Sequence, residues 1–175
     1  MALPDEYDLP STVLLDEAFR VEDFKQQVLN NPYQIVHVAS HGYFGGQVED
    51  SWIMSHDDLI DLGELSNLFK PKEFSENPVD LLILSACETA AGNDLAPLGL
   101  SGVALASGVR SVLGSLWLVS DSATQTLMDG FYRGLDAKNA TKASALRSAQ
   151  LDALESEELQ HPFNWAAFIM VGNWK

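Results

Sequence analysis

Residues 79–84 read VDLLIL, a run that is apolar apart from Asp80, and this run indicates the fold class. Asn77-Pro78 precedes the run and Ser85-Ala86-Cys87 follows it, so its length is that of one strand. A short strand that is apolar on both sides of the pleat is typical of a parallel sheet with both faces covered. We therefore expect residues 79–84 to form the central strand of an α/β fold.

Other apolar segments predict the neighbouring strands. They are residues 33–39, 109–118 and 165–171, with residues 12–15 as a short edge strand. Amphipathic segments alternate with the strands and predict helices, which are residues 21–30, residues 59–69, a helix that starts at Pro97, and two helices with Asp121 and Thr141 as N-caps. This alternation predicts a mainly parallel central sheet with helices on both faces.

Length and charge limit the possible classes of protein. The chain has 175 residues, and 10 Lys+Arg against 25 Asp+Glu give a formal net charge of −15. This size predicts one globular domain over residues 1–175. Nucleic acid and anionic membranes attract basic surfaces, so we expect neither as a partner. No secretory signal or membrane span is recognised, and a cytoplasmic protein with a protein or peptide partner is the expectation.

Reactive side chains directly follow three of the predicted strands. His41-Gly42 follows residues 33–39, Cys87-Glu88 follows residues 79–84, and Asp121 follows residues 109–118. The carboxyl ends of parallel strands meet at one edge of a sheet, about 5 Å apart for neighbours. An imidazole and a thiol at that distance suit nucleophilic catalysis, because the imidazole takes the thiol proton and the thiolate attacks. The backbone N–H groups of Gly42 and Cys87 are the expected oxyanion donors.

Each of these residues also has a simpler interpretation. A lone cysteine is most often a packing residue, and a histidine beside a glycine is usually part of a loop. His37 and His41 are four residues apart, which on a strand separates them by roughly 13 Å, so no metal site is predicted. Motifs for serine hydrolases and for nucleotide binding are missing, and no cofactor is predicted.

Seven segments, in this order, resemble the CHAT family of caspase-like cysteine peptidases, which is commonly found behind tetratricopeptide repeats in bacteria. The segments are IVHVASHG (35–42), LLILSACETAAGND (81–94), LGLSG (98–102), SLWLVSD (115–121), FYRGL (131–135), ALRSAQ (145–150) and HPFNWAAFIMVGNW (161–174). The spacing from His41 to Cys87 also agrees with the roughly 50 residues between the corresponding residues of caspases.

The resemblance implies a caspase-like three-layer sandwich with His41 as general base and Cys87 as nucleophile. The amides of Gly42 and Cys87 match the oxyanion donors, and His37 matches a structural position. The resemblance further implies a regulatory tetratricopeptide-repeat region or partner. Family members usually have more sheet and helix before the histidine strand than residues 1–34 can supply, so we expect this chain to lack an upstream part of the full domain.

These inferences predict a cysteine endopeptidase that cleaves a protein substrate through an acyl-enzyme at Cys87. A catalytically silent signalling module of the same fold and a small-molecule acyl or amide hydrolase are the alternatives. By resemblance the substrate extends along residues 115–119, which puts Trp117 and Asp121 near the pocket for P1, the residue before the scissile bond. The carboxylates of Asp121 and Glu88 then predict a basic P1, unless Asp121 serves as a helix N-cap.

Overall fold

The computed structural model describes residues 11–43, 51–70, 78–85 and 108–175. The chain divides into two compact units. The larger contains Leu14–Leu118 and Ile169–Asn173, and the smaller contains Met1–Val13, Val119–Phe168 and Trp174–Lys175. None of the helices in the described ranges is long and apolar enough to span a membrane.

The described residues form seven strands and five α-helices. The strands are β1 (Ile35–Val38), β2 (Gly42–Tyr43), β3 (Trp52–Met54), β4 (Leu59–Asp61), β5 (Leu81–Leu84), β6 (Ser111–Ser115) and β7 (Phe168–Gly172). The helices are α1 (Val21–Asn30), α2 (Leu62–Phe69), α3 (Asp121–Leu135), α4 (Lys142–Glu155) and α5 (Pro162–Trp165), and Asp16–Ala18 forms one 3₁₀ turn. The prediction of a mixed α/β fold is confirmed.

The main sheet has the strand order β1-β5-β6-β7. Strand β5 is parallel to β1 on one side and to β6 on the other, with Leu82 opposite Val36 and Val112. All four residues of β5 are buried, which shields both of its faces from solvent. The prediction that residues 79–84 supply the central strand is therefore confirmed, with Leu81–Leu84 as its observed extent.

A second, antiparallel sheet has the order β2-β3-β4, and its strand β4 lies where the sequence predicted a helix. The predicted helix over residues 59–69 is wrong in its first turn, because β4 takes Leu59–Asp61 and α2 begins at Leu62. The reason is local: the Asp61 carboxylate accepts a hydrogen bond from the Glu64 N–H at 2.7 Å and caps the helix there.

One hydrophobic core joins both sheets to helices α1 and α2 in the larger unit. Helix α1 contributes Phe24 and Val28, and α2 contributes Leu65 and Phe69. The remaining members include Val36, Val38, Ile53, Ile60, Leu82, Leu84 and Val112. Because Ile53 and Ile60 belong to this core, the small sheet is packed onto the body of the unit.

Three strand predictions need correction. Residues 12–15 form no strand, and the predicted strand over residues 109–118 is shorter, ending at Ser115. The strand predicted from Trp165 begins only at Phe168, because Pro162 starts helix α5 and Trp165 ends it. Strand β7 ends in Gly172, where φ is +106° and an added Cβ would overlap the carbonyl oxygen of Arg110.

The smaller unit contains a close pair of helices. An added Cβ on Gly134 of α3 would lie 2.9 Å from the Cα of Ala145 on α4, so the glycine permits the approach. The predicted cap Thr141 is confirmed and forms a capping box with Ser144. Asp121 was the wrong residue for the α3 cap, since the neighbouring Ser120 hydroxyl accepts the Ala123 N–H at 3.3 Å. The predicted helix from Pro97 lies outside the described residues.

Candidate active site

His41 lies in the short connection between β1 and β2. Its backbone carbonyl accepts a hydrogen bond from the Met54 N–H at 2.7 Å, and the neighbouring Ser40 hydroxyl donates to the Met54 carbonyl at 2.5 Å. The residue itself is exposed. Strand β3 therefore fixes the main chain of His41 while its imidazole stays accessible to a reactant.

Gly42 is buried and pairs with Ile53 across the two strands. The hydrogen bond beside this pair runs from the Met54 N–H to the His41 carbonyl, which identifies Gly42 and Ile53 as a non-hydrogen-bonded pair. In such a pair the N–H groups point away from the partner strand. The Gly42 N–H is thus aimed to the side of β2 that β3 does not occupy, as an oxyanion donor requires.

His37 occupies a different environment four residues earlier. Its Nε2 lies 2.7 Å from the Ser85 hydroxyl oxygen, and the Ser85 N–H donates to the Val38 carbonyl at 3.1 Å. Burial lowers the pKa of His37 from 6.5 to about 4. The neutral imidazole of His37 joins β1 to the residue after β5, which is a structural role. The resemblance described above implies the same role for His37.

Asp57 links the small sheet to helix α1, a role that no pattern in the sequence indicates. It lies in the turn between β3 and β4, and its Oδ1 accepts hydrogen bonds from the Val21 N–H and the Ser55 hydroxyl, both at 3.0 Å. The Val21 bond is the largest cause that lowers the pKa of Asp57. Because the N-cap residue of α1, Arg20, makes no side-chain cap, Asp57 fulfils that function from 36 residues away.

The other predicted site residues are distributed differently. Cys87 and Glu88 lie outside the described residues. Trp117 is half-buried in residues 116–120, which follow β6 and contain no strand. Asp121 is the exposed first residue of α3 in the smaller unit. Across the described ranges, no group of three or more His, Asp or Glu side chains is arranged to hold a metal ion.

Residues 6–173 match the CHAT domain family. The chain belongs to the CHAT domain family. This CHAT domain is 32% identical over 99 residues to human tetratricopeptide repeat protein 28 and 34% identical over 98 residues to the mouse protein of the same name. The matches cover 55% and 54% of this chain.

The same matches cover only 4% of either relative, so this CHAT domain corresponds to a small part of each. The family is of the caspase-like cysteine peptidase type, and the names of both relatives associate the domain with tetratricopeptide repeats. Both relatives are mammalian, and the bacterial setting implied by the resemblance stays a prediction.

Proposed function

We propose that this CHAT domain is a cysteine endopeptidase in which His41 is the general base and Cys87 the nucleophile. The observation that carries the proposal is the pairing of β1 with β5 as parallel neighbours, because His41 follows one and Cys87 follows the other in the sequence. Ser85, bonded to Val38, is two residues before Cys87. Two residues of extended chain span about 7 Å, which is enough for a residue two positions after Ser85 to bring its thiol within reach of the His41 imidazole.

The proposed reaction uses groups of this chain alone. The His41 imidazole takes the Cys87 proton, and the thiolate forms a C–S bond to the peptide carbonyl carbon. The N–H groups of Gly42 and Cys87 bind the oxyanion of the tetrahedral intermediate. As the C–N bond breaks, the amine takes the proton from His41, and water then hydrolyses the acyl-enzyme with His41 again as base.

The wider architecture is proposed from the family. The caspase-like three-layer arrangement and a single domain over residues 1–175 are both inferred from resemblance. The repeat-protein relatives support control by a tetratricopeptide-repeat region or partner. Such control suits an intracellular peptidase, since activity on demand limits damage to other proteins.

A basic P1 residue is the proposed specificity, with Asp121, Glu88 and Trp117 near the pocket. The finding that Ser120 caps α3 supports it, because Asp121 no longer has a competing duty as the cap. An exposed carboxylate in a chain of net charge −15 attracts arginine or lysine.

Labelling by a thiol-directed covalent peptide probe tests the mechanism. The full chain should react at Cys87, and Cys87→Ala should not react at all. His41→Ala should slow the labelling by about 100-fold or more, because the thiol loses its base. His56→Ala is the matched control, since His56 is another exposed histidine, and it should label at the unaltered rate. Equal rates for His41→Ala and the unaltered chain would refute the dyad and favour the silent module.

A further inference from the structure

The small sheet β2-β3-β4 has one side turned to the core and one turned to solvent. Gly42, Ile53 and Ile60 lie opposite one another across its three strands, and all three are buried. Side chains alternate between the two sides along a strand, so the residues before and after this row point the other way. We call the side that they occupy the outer face.

Two rows of side chains form the outer face. Met54 pairs with Leu59, and the bond from the Met54 N–H to the His41 carbonyl extends that row to His41. The second row consists of Tyr43, Trp52 and Asp61. Residues directly opposite each other on antiparallel strands share a face. The His41 imidazole is thus in line with Met54 and Leu59.

The outer face is apolar and partly exposed. Met54 exposes 41% of its surface and Leu59 exposes 45%. Beside them the half-buried rings of Tyr43 and Trp52 are stacked, with centroids 6.2 Å apart and an interplanar angle of 25°. Exposed aliphatic groups next to a stacked aromatic pair form a preformed apolar surface of the kind that binds a partner.

We propose that the outer face is a substrate subsite for a large apolar side chain, such as Leu, Met or Phe, close to the scissile bond. The inference rests on the proposed function: a catalytic imidazole must face the substrate, and Met54 and Leu59 stand on the same face as His41. The occupant is therefore the substrate polypeptide.

Spacing defines where that side chain belongs in the substrate. Neighbouring strands are about 4.8 Å apart, so Met54 is about 5 Å and Leu59 about 10 Å from His41 along the row. An extended peptide advances about 3.4 Å per residue, which puts the apolar side chain about one to three residues from the scissile bond.

The first experiment compares cleavage profiles. The full chain is assayed with a library of internally quenched peptides in which each position in turn is fixed as Leu, Met, Phe or Ala. The apolar residues should be preferred over Ala about tenfold at one position near the scissile bond. Met54→Gln/Leu59→Gln should lose that ratio, so that the Leu, Met and Phe peptides are cleaved no faster than the Ala peptides. Leu29→Gln, a change at an exposed leucine on α1, is the control and should keep the ratio.

The second experiment reports binding without cleavage. The Met54 methyl signal, assigned with Met54→Gln, is followed by NMR while two pools of capped tripeptides, with Leu or Ala fixed at the centre, are added. The Leu pool should shift the signal and the Ala pool should not. A shift without any cleavage would reject the peptidase and support the subsite. An unshifted signal or an unchanged profile in the double variant would overturn the subsite. A shift that follows protein concentration alone would also overturn it and would indicate that a second copy of the chain binds the outer face.

Discussion

Replacing His37 with glutamine tests how burial holds this side chain neutral. Burial lowers its pKa from 6.5 to about 4, and the Ser85 hydroxyl lies 2.7 Å from Nε2. At pH 7.5, one unit above 6.5, the ring is almost entirely neutral in both the folded and the unfolded chain, so its contribution to folding is nearly complete there. As the pH falls towards 4, the unfolded chain binds a proton that the folded chain excludes, and stability is lost.

The size of the loss follows from the two pKa values. Each pH unit inside the window removes about 1.4 kcal/mol, which between pH 7.5 and pH 5 amounts to about 2 kcal/mol. His37 is half-buried as a residue, and solvent near the ring reduces the cost of charging it. We therefore expect His37 to account for about 1–2 kcal/mol of the acid-induced loss. Glutamine can still bond to Ser85 and does not titrate in this range.

Urea denaturation at both pH values measures this difference. The unaltered chain should lose about 1–2 kcal/mol more of its free energy of unfolding than His37→Gln does, because carboxylates affect both proteins alike. His56→Gln removes an exposed histidine and should keep the full pH dependence. If His37→Gln and the unaltered chain lose the same free energy between the two pH values, burial does not hold His37 neutral.

Three further changes have defined outcomes. Gly172→Ala should lower the free energy of unfolding by about 2 kcal/mol or more, since both its φ of +106° and the neighbouring carbonyl oppose a methyl group. Gly108→Ala, at φ +72° in open space, should lower it less. Equal losses in the two variants would argue against the overlap at Gly172. Thr141→Ala should cost about 1 kcal/mol in urea denaturation through the lost cap, and no change would show that the cap is dispensable. Asp121→Asn should leave the fold intact and remove the preference for basic P1 peptides in a library assay, while unaltered specificity would exclude a pocket role.

The sequence predicted the parts of the fold that depend on long or strongly apolar patterns. Strand β5 was recognisable because all four of its residues are apolar, as burial on both faces requires. Helix α1 was predicted with its observed bounds, Val21–Asn30. The bounds of the strands in the small sheet were not predicted, because these strands have only two or three residues each, too few for an alternation to be read. Leu59 and Ile60 also fit the apolar side of the helix that follows them.

Prediction of the site had a similar limit. His41 and Gly42 were predicted as site residues because they follow a strand of the parallel sheet. The cap of α3 was displaced by one residue, since Ser120 and Asp121 are adjacent and both residue types are good caps. Asp57 was missed because its contact with Val21 spans 36 residues, and a local pattern contains no information about such a partner.

The attachment of His41 to β3 has a consequence for how this protein can diverge. Two hydrogen bonds hold the connection between β1 and β2, and Met54 contributes only its backbone N–H and C=O to them. Every amino acid supplies the carbonyl, and every one except proline supplies the N–H. Related or designed versions of the chain can therefore replace the Met54 side chain widely and leave the His41 main chain where it is. Met54→Pro is the exception, because it removes the bond to the His41 carbonyl.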